Sequence, residues 1–212
     1  MSHAASTMNF GSVPVTTAIL RDSLTGYKAP QARIRLMERR EELLPLRRNL
    51  YIYNDGSEYS RQLIANHILS PSYVSFESAL WYEGIIPERV HTVRSACLVR
   101  SRSFTNATGQ YDYIQVASEY YPIGVKVWRT AQGYGYMMAC AEKALCDLIL
   151  ATPGLRLQSS RAVGEYLESY LRANMEYVAS WNADLLHAIA SAAHKKQKDL
   201  FNLEKFVRNE CV

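Results

Sequence analysis

The stretch QARIRLMERREELLPLRRNLYIY, residues 31–53, constrains the fold more than any other part of the chain. Its first half repeats at helical spacing. Ile34 and Met37, with Leu36, predict a buried side, while Gln31, Arg35 and Arg39, each four apart, predict one exposed stripe. Its second half holds two short β-compatible runs, LLPL and LYIY, with the arginine pair Arg47-Arg48 between them. Two adjacent guanidinium groups do not suit the middle of a strand, so they predict the tip of a hairpin. Asn49 there tolerates the left-handed backbone of a tight turn. Pro45 is expected to end the helical region.

The segment VPVTTAILRDSL precedes this stretch. Thr16 or Thr17 suits a helix N-cap, and Ile19, Leu20 and Leu24 predict an apolar face. TGYK reads as a turn, and Pro30 fits a first helical turn, where a missing N–H is harmless. Ahead of it, MSHAASTMNFGS has room for a short helix at most. Helix, turn, helix and basic-tipped hairpin is the order of a winged helix-turn-helix. In that geometry Gln31, Arg35 and Arg39 would face base edges in a major groove. Lys28, Arg33, Arg40, Arg47 and Arg48 would position the phosphate backbone, and Asn49 would shape the wing. The same pattern also suits a small helical hairpin whose Arg39-Arg40-Glu41-Glu42 run exchanges surface ion pairs.

The charge distribution favours the first reading. Residues 1–53 carry eight basic and four acidic side chains. The remaining residues carry 16 of each, so the whole formal charge of +4 lies in the first quarter of the chain. A local positive excess is the electrostatic mark of a polyanion-binding unit. The four cysteines, Cys97, Cys140, Cys146 and Cys211, form no C-x-x-C pair, which points to a reducing, cytoplasmic setting and away from a zinc site. No apolar run reaches the length of a membrane span, and the first residues do not have the form of a secretory signal.

Downstream, EYSRQLIANHIL (residues 58–69) predicts a helix buried through Leu63, Ile64, Ile68 and Leu69. In PSYVSFESALWYEGIIPERV, Ser75 is placed to cap a helix that ends at Gly84. VHTVRSACLVRSRSF and TGQYDYIQV alternate as strands around an NATG turn. YGYMMACAEKALCDLIL predicts a strand running into a helix with Ala144, Leu145, Leu148 and Ile149 on its apolar face. Together PSYVSFESALWYEGIIPERV, TGQYDYIQV and ACAEKALCDLIL resemble the AbiEi family of bacterial antitoxins and transcriptional regulators, over residues 14–150. The resemblance implies a regulator that binds double-stranded operator DNA and represses its own operon. It also implies action against a nucleotidyltransferase toxin without a stable complex, the type IV arrangement. The DNA-contacting elements it implies are the helix from Pro30 and the wing around Arg47 to Tyr51, with the middle segment as effector domain.

Enzymatic constellations are absent from the pattern. Glu142, Lys143 and Asp147 are the nearest to one, but adjacent residues point different ways on a helix, and Glu142 also suits a helix N-terminus. The five histidines (His3, His67, His91, His187, His194) lack ligand spacing, the sequence has no G-x-x-x-x-G-K-[ST] loop, and FGS at residues 10–12 is not followed by the paired acids of a nucleotidyltransferase. No cofactor or metal is expected, and the abundant tyrosines read as packing residues. From residue 156 two or three amphipathic helices are expected, with Lys195, Lys196 and Lys198 on a solvated face or as a second phosphate contact. The expected fold class is α+β: a winged helix-turn-helix over residues 1–56, a mixed α/β effector domain over 57–155, and a helical region over 156–212. The competing reading is a protein-interaction module without DNA binding, docking through the N-terminal unit and the aromatic ALWYEG region.

Overall fold

Thr16 opens the first helix by accepting a hydrogen bond from the Ile19 N–H at 3.4 Å. It does so within a computed structural model that describes residues 10–210, without the Glu210 side chain. His3, Cys211 and most of the segment considered for a leading helix lie outside these residues. The fold is α+β with two sheets.

The N-terminal unit comprises β1 (Val15–Thr16), α1 (Thr17–Ser23), α2 (Pro30–Arg39), β2 (Leu43–Arg47) and β3 (Leu50–Tyr53), with sheet order β1-β3-β2. Helix α2 begins at Pro30 as expected, but Pro45 does not end it. Glu41 takes the left-handed conformation at φ 58°, the Glu42 N–H bonds to the Met37 carbonyl, and the Glu41 N–H bonds to that of Glu38. This double closure satisfies the last carbonyls, so the helix stops before the proline, and Pro45 lies within β2 opposite Tyr51. Asn49 has φ 64° in the two-residue turn that joins β2 to β3. Ile34 and Met37 are buried, whereas Leu36 and Ile19 are exposed. The apolar stripes of α1 and α2 are therefore narrower than the sequence suggests, because each of these short helices packs along only one line.

The small sheet is covered on both faces. Val15, Leu43 and Tyr53 pack with Leu20, Leu24, Ile34 and Met37 in a local core. The alternate positions Leu46, Leu50 and Ile52 join the main core of the protein. The tip, residues 47–49, projects into solvent. The Asn106 side-chain amide, from a second hairpin, holds the Leu46 carbonyl at 2.9 Å.

The main sheet has the order β6-β7-β5-β4-β9-β8, built from β4 (Ser72–Val74), β5 (Thr92–Cys97), β6 (Arg102–Asn106), β7 (Gly109–Gln115), β8 (Val125–Arg129) and β9 (Gly135–Ala139). The β5–β7 and β4–β9 pairs are parallel and the others antiparallel. Register assigns the faces. Tyr73 opposes Ala96, which opposes Ile114, and this face meets α5 (Ala141–Ala151) through Tyr73 and Asp147. Tyr111 and Tyr113 point the other way, onto α3 (Arg61–Ile68): Arg61 covers the Tyr111 ring, and the Tyr113 hydroxyl donates to the Ala65 carbonyl at 2.6 Å. Asn66 of α3 is tied to the sheet, its amide accepting from and donating to the Met137 backbone of β9. Helix α4 (Phe76–Tyr82) packs against α5, and Gly84 follows it with φ 74°.

The C-terminal part contains α6 (Ser160–Glu165), a π-helical turn (Tyr166–Tyr170), α7 (Met175–Ala179), α8 (Ala183–Ala192) and α9 (Gln197–Glu210). Lys196 does not belong to a solvated helix face. With φ 51°, it turns its ammonium onto the Ile149 and Thr152 carbonyls at 2.8 and 2.5 Å, neutralising the end of α5. One continuous core runs from Leu46 to Val207 and so crosses both expected domain boundaries. No helix among the described residues is long and apolar enough to cross a membrane.

Because Ile52 is fully buried in that shared core, Ile52→Ala is expected to cost about 2–5 kcal/mol. Urea unfolding should remain one cooperative transition. An N-terminal unit that melts separately would contradict the shared core.

Candidate nucleic-acid interface

The exposed side of α2 and the hairpin tip carry most of the side chains expected to meet DNA. Gln31, Arg35 and Arg39 lie on the solvent side of α2, opposite Ile34 and Met37, because residues four apart share a face. Lys28 precedes the helix and is exposed, as are Arg47, Arg48 and Asn49. Among the described residues Lys28, Arg35, Arg39, Arg47 and Arg48 make no ion pair.

Arg33 and Arg40 are placed differently. Both approach Glu42, at 3.6 and 3.7 Å, and Arg33 is half-buried with its guanidinium over the Tyr27 ring at 5.7 Å. Their charge is partly offset within the protein, and the tight turn at Glu41 is what brings Glu42 back to them. The Asn49 carbonyl accepts from the Thr17 N–H at 3.1 Å, so the hairpin tip is tied to the start of α1.

A second concentration of polar chemistry lies in the main domain, around Lys143 and Asp147, which the sequence singled out without revealing their burial or their partners. Lys143 and Asp147, one helical turn apart on α5, are fully buried and 3.6 Å from each other. Asp147 accepts hydrogen bonds from the hydroxyls of Ser75, Tyr120 and Tyr73 at 2.6, 2.7 and 3.0 Å. Lys143 donates to the Tyr120 carbonyl at 2.8 Å and sits over the Tyr120 ring at 2.9 Å. Burial pushes the Lys143 ammonium down to about 8, opposed by the Asp147 charge. Burial also pushes the Asp147 carboxyl up, opposed by Lys143 and the three hydroxyls. The loop ending at Gly124 closes over this pair. With φ 75°, a side chain there would meet the Lys143 Cβ at 2.8 Å.

Ser75 stands at the N-cap of α4 as expected, but its hydroxyl serves Asp147 and does not cap the helix. Phe76 follows with φ 56°, a costly conformation for a bulky residue, under the Arg94 guanidinium 4.8 Å from its ring. A cavity of about 180 Å³ adjoins the network, walled by Phe76, Ile114, Val116 and Leu150 and touched by Tyr120 and Asp147. The clue available from sequence was the spacing of Lys143 and Asp147 among apolar neighbours. Their partners lie more than twenty residues away, so spacing alone does not reveal burial.

Glu142 is set apart from the pair, accepting from the Asn182 N–H, and it lies near Glu83. The Glu83 Oε1 atom is shielded from solvent without a hydrogen-bond partner among the described residues, and burial, helped by Glu142 and opposed by Lys126, pushes its carboxyl up to about 7.

Comparison with protein-family models gives no match to this chain, and comparison with curated proteins gives none either.

Two stability measurements check these arrangements. Asp147→Ala should cost about 3–5 kcal/mol, because it leaves a buried ammonium uncompensated. Adding Lys143→Met should recover part of that loss, and purely additive losses would count against the pairing. The protonated Glu83 is favoured by the folded state, which therefore binds more protons than the unfolded chain between the ordinary glutamate range and about pH 7. Stability should fall as pH rises through that window. After discounting for partial solvent exposure, Glu83→Gln should gain about 1 kcal/mol at pH 8 and little at pH 4 in urea titrations.

Proposed function

We propose that the N-terminal unit is a winged helix-turn-helix that binds double-stranded DNA. We further propose that the protein is a bacterial transcriptional regulator of the AbiEi antitoxin type, repressing its own operon and counteracting a nucleotidyltransferase toxin. One observation carries the DNA reading: Lys28, Arg35, Arg39, Arg47 and Arg48 are exposed and, among the described residues, free of ion pairs, within the quarter of the chain that holds the net charge. Surface cations used only for solubility commonly alternate with acids along a helix, whereas a row left uncompensated suits a polyanion. The element order, helix, turn, helix and hairpin, supports the same reading.

In this reading α2 enters the major groove, with Gln31, Arg35 and Arg39 toward base edges. Lys28, Arg47 and Arg48 set register on phosphates. Arg33 and Arg40, shared with Glu42, contribute less to affinity. The Asn49 turn holds the tip arginines rigidly against the start of α1, which lowers the entropy lost on binding. The antitoxin part of the proposal rests on the resemblance of the middle segment to that family.

A second reading, a protein-interaction module, is favoured by the exposure of Trp81 (37%) and Tyr82 (42%) on α4. Large exposed aromatics are typical anchors of protein interfaces. Stable co-purification with a partner, together with no salt-dependent binding to the DNA upstream of its own gene, would favour it.

Titration against upstream and scrambled duplexes at several salt concentrations separates the proposed roles. Arg35→Ala should lose about 1–3 kcal/mol on the upstream duplex and little on the scrambled one. Arg47→Ala should weaken both alike and reduce the salt slope by about one. Equal effects of both substitutions on both duplexes would overturn this division.

A further inference from the structure

A groove of about 530 Å³ runs between the start of β5 and the π-helical turn, away from α2 and the hairpin tip. Its aromatic wall is a stacked pair. Tyr166 and Tyr170 have ring centroids 5.3 Å apart and planes 15° from parallel. The inner ring, Tyr166, is buried, while Tyr170 is 72% exposed. The stack is thus fixed at one end and open at the other. The π-helical turn that carries it is a local irregularity of a kind often found at binding sites.

The charged wall has a similar asymmetry. Glu77 pairs with Arg94 and Glu88 with Arg172, so each acid of the groove is already neutralised. Arg89 is exposed and makes no ion pair or hydrogen bond among the described residues, and the exposed His91 lines the groove beside it. The groove therefore offers one planar π-surface and one uncompensated guanidinium. Arg89 and Val90 also border a neighbouring recess of about 240 Å³ that reaches Trp81. Arg89 is thus shared by two recesses, one with Tyr170 and the other with Trp81, and a cation set among aromatic rings is a combination used to hold the phosphates and bases of a single strand.

The geometry points to a nucleotide-binding site in which a base stacks on the open face of Tyr170 and its phosphate meets Arg89. The nucleotide is either free or a unit of a single-stranded nucleic acid. Both share an aromatic base joined to an anionic phosphate, and the arms of the experiment tell them apart. Stacking is tolerant of base identity because every base has a π-face, so selectivity among bases is expected to be modest. Duplex DNA fits poorly, since its bases are already stacked on one another and unavailable to Tyr170.

The full-length protein is tested by calorimetry with AMP and GMP, and by fluorescence anisotropy with a labelled single-stranded hexa-adenylate. Tyr170→Leu and Arg89→Gln should each weaken binding about tenfold or more, while Tyr170→Phe should retain it, because the stacking surface survives. Both positions are exposed and lie on different elements, so unchanged thermal melting of at least one variant keeps the test valid. Binding of AMP or GMP that these substitutions abolish supports a free nucleotide. Binding of hexa-adenylate alone, with the same losses, supports a strand. Absence of binding to all three probes, or binding that survives both Tyr170→Leu and Arg89→Gln, overturns the site. Arg35→Ala and Arg47→Ala should leave these affinities unchanged, so this site and the duplex-binding reading fail independently.

Discussion

A carboxylate sealed inside the protein, Asp147, sets the arrangement of the main domain. An ionised group without water is expensive unless nearly every lone pair is engaged. Asp147 meets that condition through Lys143 on its own helix and three hydroxyls from elsewhere: Tyr73 on the central strand, Ser75 at the head of α4, and Tyr120 in the loop before β8. Each donor fixes the position of the element that carries it. Strand, helix and loop are thereby held to α5 by direction as well as by contact, which apolar packing alone does not provide. The unusual backbone of Phe76 and the missing hydroxyl cap on α4 are local costs of pointing Ser75 at this centre.

The second organising feature is the small N-terminal sheet. Its alternating side chains serve two cores, one made with α1 and α2 and one continuous with the rest of the protein. A hairpin covered on both faces is not a free ribbon, and the β6–β7 turn ties it further through Asn106 and Leu46. The basic tip is consequently a rigid projection. If the N-terminal unit grips a duplex, any strain there passes directly into the main core through Leu46, Leu50 and Ile52.

The positive charge of the chain is distributed in a way that helices and strands alone do not explain. On α2 it is left without ion pairs along one stripe, among the described residues. Around Glu42 it is shared within the fold, and at Lys196 it is spent on the carbonyl end of α5. Arg94 and Arg172 likewise neutralise acids of the groove, and Arg89 has no ion-pair partner among the described residues. What separates an unengaged surface cation from a structural one among the described residues is whether the fold supplies it with an oxygen.

The sequence by itself determined most of the helices and the longer strands, because these depend on periods of two and 3.6 residues that are written locally, whereas the short strands β1 and β4, the strand β8 and the π-helical turn left no such record. The exposed stripe of Gln31, Arg35 and Arg39, the turn at Asn49 and the buried face of α5 were all legible in that way. The end of α2 was not, since Glu41 adopts a left-handed conformation that glycine usually takes and Pro45 gave a misleading stop signal. Nor were the half-burial of Arg33, the carbonyl contacts of Lys196 or the service of Ser75 to Asp147. Those depend on which groups meet across large separations, 72 residues for Ser75 and Asp147 and 74 for Tyr73 and Asp147. Only the tertiary structure decides such meetings, because a side chain's partner is set by how strands and helices pack, and spacing along the chain carries no record of it.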